Sequence, residues 1–142
     1  RLSYGTFDGD LDSVYGAGVI YGASNRFRRV GLSLNKGRQA GKPYAFLGPS
    51  GSVRVKGKLD LGYGGSIQDF GGRTQQHIVT VNYELSPTRS FGGRLVIQDS
   101  ATNWYVSYRQ SGGKGAEFFV MFGDPNAERF VSSLRVKVVL AL

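Results

Sequence analysis

The chain has 142 residues, a formal net charge of +8, 40% hydrophobic residues, 22 glycines and no cysteine. This length suits one domain, residues 1–142, and the hydrophobic share excludes a disordered chain. The cysteine count excludes a disulfide framework and a thiolate metal centre, and the longest apolar runs (118–122 and 138–142) fall far short of the roughly 20 residues of a membrane-spanning helix.

Glycine runs at roughly twice its usual share of about 7%. With nine Phe, eight Tyr and one Trp, it points to strands, tight turns and close backbone packing. Period-two alternation dominates the chain. Early strands are expected at 2–7, 14–21, 28–34 and 44–47. The clearest signal is 53–63, where Val53, Val55, Leu59, Leu61 and Tyr63 share one face and Arg54, Lys56, Lys58 and Asp60 the other. Further strands follow at 77–85, 91–98, 104–109, 117–122 and 134–142. The run Phe118 to Phe122 is apolar at every position, which predicts burial on both faces.

Turn chemistry divides these runs near 9–10, 24–26, 35–42, 48–51, 64–72, 86–88, 99–103, 111–115 and 123–127. Tight connections at 24–26, 48–51 and 86–88 would share one side, with longer ones at 35–42 and 64–72 on the other. The expected fold class is all-β: an antiparallel up-and-down meander of about ten strands, barrel-like. A sheet of that width must close, fold over or expose its edges. The longer runs match the roughly 9–11 residues with which a strand crosses a bilayer.

The basic side chains define two candidate surfaces. Arg54, Lys56, Lys58, Arg94, Arg109, Arg135 and Lys137 fall on the polar faces, where they outnumber Asp60 and Glu84. In a membrane barrel they would line an anion-favouring lumen. Tyr83 and Phe91 flank the 86–88 turn, where an interfacial aromatic girdle would lie. The alternative is a soluble barrel or sandwich that binds anionic ligands. Arg26, Arg28, Arg29, Lys36, Arg38 and Lys42, beside Tyr44 and Phe46, would then grip nucleic-acid phosphates. Trp104, Tyr105 and Tyr108 would stack on a glycan.

Enzyme chemistry has little to stand on. There is no G-x-S-x-G elbow, Gly112-Gly-Lys-Gly115 lacks P-loop spacing, and the one histidine, His77, at the start of a strand, reads as a surface residue. No enzyme activity and no cofactor are expected. Asp8, Asp10 and Asp12 offer hard oxygens to calcium, but Ser13 and Val19 stand where an EF-hand loop needs Gly and Glu. Opening at Arg1 without a secretory leader, the chain is expected to be a processed or excised piece.

Residues 134–142 resemble the terminal strand of bacterial outer-membrane β-barrels, a polar residue and a glycine followed by alternating hydrophobics that end on an aromatic. Arg135 fits the polar position and Leu140 and Leu142 the hydrophobic ones, whereas Lys137 replaces the glycine and no aromatic closes the chain. The loop Gly123-Asp-Pro-Asn-Ala-Glu-Arg-Phe130 is similar to the C-terminal hairpins of bacterial barrel proteins, some of which carry a sugar-binding-like domain upstream. The resemblance implies an outer-membrane barrel segment acting as pore, anchor or transport scaffold. Its partners would be the lipid bilayer and other chains that complete the barrel.

Overall fold

A computed structural model describes residues 2–7, 10–25, 27–112 and 115–140, with side chains from residue 12 onward. Among the described residues ten strands follow one another in a single antiparallel sheet whose spatial order equals the chain order. They are β1 (Leu2–Phe7), β2 (Asp10–Tyr21), β3 (Arg28–Gln39), β4 (Lys42–Val55), β5 (Leu59–Asp69), β6 (Arg73–Ser86), β7 (Arg89–Gln98), β8 (Ala101–Ser111), β9 (Glu117–Phe122) and β10 (Leu134–Val139). The all-β meander is as expected. The sheet stays open, with no β1–β10 pairing among the described residues.

From β3 to β6 the strands are longer and the turns tighter than the turn residues suggest. The loop expected at 35–42 is the end of β3, a two-residue turn at Ala40-Gly41 and the start of β4; both turn residues have positive φ, as a type I′ hairpin requires. The loop expected at 64–72 shrinks to residues 70–72. The turn expected at 48–51 lies inside β4. Pro49 lacks an N–H, and the β4–β5 ladder passes from Leu47↔Ile67 to Ser50↔Gly64, while pairing with β3 continues through Leu32↔Pro49. Tight connections therefore occur at both ends of the sheet, and residues 123–133 form its longest one.

The strand expected at 53–63 is a hairpin. Lys56 and Gly57 have φ of 48° and 69° and turn the chain between Val55 and Leu59. A three-residue connection preserves the odd–even parity of the strands it joins, so the alternation runs through the turn without a break.

Register sorts the side chains onto two unlike faces. One row of partners across β2–β8 reads Tyr21, Val30, Gly51, Tyr63, Val79, Leu95, Trp104. The next reads Val53, Leu61, Val81, Gly93, Val106, Phe122, Leu134 across β4–β10. Between them on the opposite face lies Arg29, Ser52, Gly62, Thr80, Arg94, Tyr105. The first is an apolar face; the second is rich in glycine, serine, amides and charge.

There is almost no core. Met121, 9% exposed, is the buried hydrophobic side chain among the described residues, and none is fully buried. The chain exposes 10207 Å², against about 7,200 Å² expected for a globular monomer of its mass. The apolar face carries much of the excess: Tyr21 is 73% exposed, Val30 62% and Leu134 68%. β9 meets its expectation in part, since Met121 is buried on the polar side while Phe118 is exposed on the apolar side.

Candidate functional site

The polar face gathers five of the seven basic candidates. Register places Arg54, Arg94, Arg109, Arg135 and Lys137 on it. Lys56 and Lys58 are corrections: they sit in the β4–β5 turn, at the end of the sheet that bears the termini, and line no strand face.

Most of that charge is compensated. Arg54 forms a two-pronged pair with Asp60, Nε and one Nη each donating at 2.5 Å, and a further bond to Glu84 Oε1 at 3.2 Å. Asp60 lies across the hairpin from Arg54, and Glu84 follows on β6, so three neighbouring strands are tied by one guanidinium. Phe27, from the β2–β3 connection, lies beneath it at 3.8 Å from ring centre to Cζ, a cation–π contact. Arg109 pairs with Glu117, and Arg135 with Asp124. Among the described residues Arg94 and Lys137 have no carboxylate partner. The expected basic field therefore narrows to Arg94, on β7 between Thr80 and Tyr105, and Lys137, beside Phe119 at the β10 edge.

The second basic group is dispersed. Arg28 and Arg29 open β3, whereas Lys36 and Arg38 lie near its far end and Lys42 opens β4. The first and last thus stand roughly 36 Å apart along the strand, and Arg26 lies outside the described residues. The group expected in and around two loops therefore divides between the two ends of β3. The glycan-stacking trio is also divided: Trp104 and Tyr108 face the apolar side and Tyr105 the polar side. Tyr83 and Phe91 are direct partners on the apolar face, and Phe91 packs on Tyr108 at 5.1 Å between ring centres.

His77 lies within β6, half-buried on the apolar face. Its Nδ1 is 2.8 Å from Tyr63 Oη, the rings stacked. Asp8 and the side chain of Asp10 fall outside the described residues. Asp12 is on the polar side of β2, and no group of three or more metal-ligating residues occurs among the described residues.

One assembly had no signal in the periodicity. β9 pairs with β8 from Val106 to Ser111, leaving the first residues of β8 without a strand partner on that side. The loop 123–133 fills the gap. Buried Asn103 donates from Nδ2 to the carbonyls of Asp124 (2.8 Å) and Ala127 (2.6 Å), and the Phe130 N–H donates to the Thr102 carbonyl at 2.9 Å. On the apolar side Phe130 stacks on Trp104 with ring centres 4.3 Å apart and planes 6° apart. Gly123, at φ +98°, starts the loop, and a Cβ there would lie 2.5 Å from the Trp104 carbonyl. The loop is thus clasped from both faces of the sheet, and the Gly123-Asp-Pro-Asn motif was its sequence trace.

On β3 and β8 polar side chains bound the apolar run at both ends. Arg28 and Lys36 bracket Val30, Leu32 and Leu34 on β3; Thr102 and Gln110 bracket Trp104, Val106 and Tyr108 on β8. Each pair is eight residues apart, or about 27 Å along a strand. Comparisons with protein-family models, curated protein sequences and solved structures find no match.

Proposed function

We propose that this chain is a segment of an outer-membrane-type β-barrel that serves as pore, anchor or transport scaffold, with its apolar face toward lipid and its polar face toward a lumen. One observation carries the reading: across β2–β10 most of the large apolar side chains lie on one face, and that face is exposed. A soluble globule turns such a face inward and buries it; an uncovered apolar surface of this size marks an interface with protein or membrane.

Dimensions support it. Strands tilted by about 40° reduce the 27 Å between polar brackets to about 20 Å across the bilayer, near the roughly 25 Å band of outer-membrane barrels, with cationic side chains free to reach outward. Small residues face one another across strands on the polar side, Gly31 with Ser50 and Gly92 with Ser107, which would suit a concave face. An even strand number makes β1 and β10 antiparallel, as ring closure requires; further strands inserted in pairs would serve equally. Arg94 and Lys137 would give the lumen a local preference for anions.

The test is refolding with and without detergent micelles, followed by far-UV circular dichroism and heat-modifiable gel mobility. Strand signal and a mobility shift confined to micelles are expected. A monodisperse β-rich protein in plain buffer would refute the reading and turn attention to anionic ligands of a soluble sheet.

A further inference from the structure

Resting on that transmembrane reading and going beyond it, we propose that the apolar face carries a binding site for an anionic phospholipid at the end of the sheet remote from the termini. Tyr15, Lys36, Ala45, Asp69 and Arg73 are successive register partners across β2–β6. One row inward lie Ala17, Leu34, Leu47 and Ile67, and these two rows enclose a shallow trough of about 870 Å³. Its floor is aliphatic, and its outer rim is charged.

The rim is the informative part. Lys36 and Arg73 form no ion pair among the described residues. Arg38, next outward on β3, donates from one Nη to the Gly41 carbonyl at 2.8 Å and keeps its remaining N–H groups available. Three cations thus face one carboxylate, Asp69. Lys36 and Arg73 are three strand spacings apart, about 14 Å between backbones. Between them stand the small side chain of Ala45 and, next to Arg73, the carboxylate of Asp69; over Ala45 the surface is open, so both long side chains can bend toward a common anion there.

The occupant follows from the combination. A cationic rim alone would suit any phosphate, and an aliphatic trough alone any acyl chain. Joined on one face at the edge of the apolar band, they fit a molecule with a phosphate head and a hydrocarbon tail. A soluble phosphate compound would leave the trough uncovered. Tyr15, 62% exposed beside Lys36, is an amphipathic side chain of the kind that settles at headgroup depth.

Equilibrium binding of fluorescent phosphatidylglycerol and fluorescent phosphatidylcholine to the micelle-folded chain tests the site. The expected result is a preference for phosphatidylglycerol. It should fall about five-fold for Lys36→Gln or Arg73→Gln and about thirty-fold for the pair, at the roughly 1 kcal/mol that each cation contributes near an anionic lipid surface. Lys137→Gln, which removes the same charge from the opposite face, should leave it at the wild-type value. Equal affinity for the two lipids, equal loss with Lys137→Gln, or displacement of the lipid by inorganic phosphate would each overturn the site. Gel mobility of every sample separates the two levels. A shifted band without lipid preference removes the site alone; an unshifted band in micelles removes the transmembrane reading, and the site with it.

Discussion

Val81 and Asn82 are neighbours on β6 that face opposite ways, and arginine at each in turn separates a lipid-facing surface from a wet one. Val81 is in the middle of the apolar band, with His77 and Val79 on one side and Tyr83 and Leu85 on the other, and its cross-strand partners are Leu61 and Gly93. Asn82 is on the polar face opposite Asp60 and Gly92. If Val81 meets lipid, Val81→Arg costs about 2–4 kcal/mol near the bilayer midplane, a thirty- to roughly nine-hundred-fold loss in the folding equilibrium. Asn82→Arg gains a carboxylate neighbour in a polar setting and should stay within about 0.5 kcal/mol. On a water-exposed sheet both changes would stay within that smaller range. The assay is urea unfolding in phosphatidylcholine vesicles, read by Trp104, the one tryptophan of the chain. Equal effects for the two variants would refute the assignment of faces; two negligible effects would refute contact with lipid.

Three further outcomes follow from the same geometry. Asn103→Ala removes two hydrogen bonds to loop carbonyls and should cost about 1–3 kcal/mol; hydrogen exchange in residues 123–133 should rise well before the rest of the sheet responds. Gly123→Ala drives a Cβ toward the Trp104 carbonyl at a positive φ, for about 1–3 kcal/mol, and weakened Trp104–Phe130 stacking would appear in near-UV circular dichroism. For ion preference, Arg94→Glu with Lys137→Glu should reduce any preference for anions in single-channel recordings, whereas Lys56→Glu with Lys58→Glu should act weakly, because those lysines sit in a turn. The reverse ranking would remove Arg94 and Lys137 from the lumen.

The alternation of apolar and polar residues made the two faces legible. Val79, Val81 and Tyr83 share one side, as do Trp104, Val106 and Tyr108, because consecutive side chains of any strand point opposite ways. Composition made the class legible too, through glycine and aromatics. Where each strand ends was less visible. Lys56 and Lys58 look like strand residues because an odd-numbered turn keeps the parity, and the Gly48–Gly51 segment looks like a turn because its residues are poor strand formers by themselves. Its neighbours on β3 and β5 decide otherwise, through pairing that no local propensity records.

The charges show the same division. Seven basic residues at polar positions suggested a strong field; Asp60, Glu84, Glu117 and Asp124, from neighbouring strands and a distant loop, cancel most of it. The clasp of Asn103 and Trp104 around residues 123–133 is likewise a contact across some twenty residues of chain, with no periodic trace. By itself, then, the amino-acid order determined an antiparallel all-β chain with one apolar and one polar face, since period two is a property of each short stretch. Strand limits, compensation of charge and the exposure of the apolar face were decided only by the tertiary structure, because pairing, ion contacts and burial depend on residues far apart in the chain.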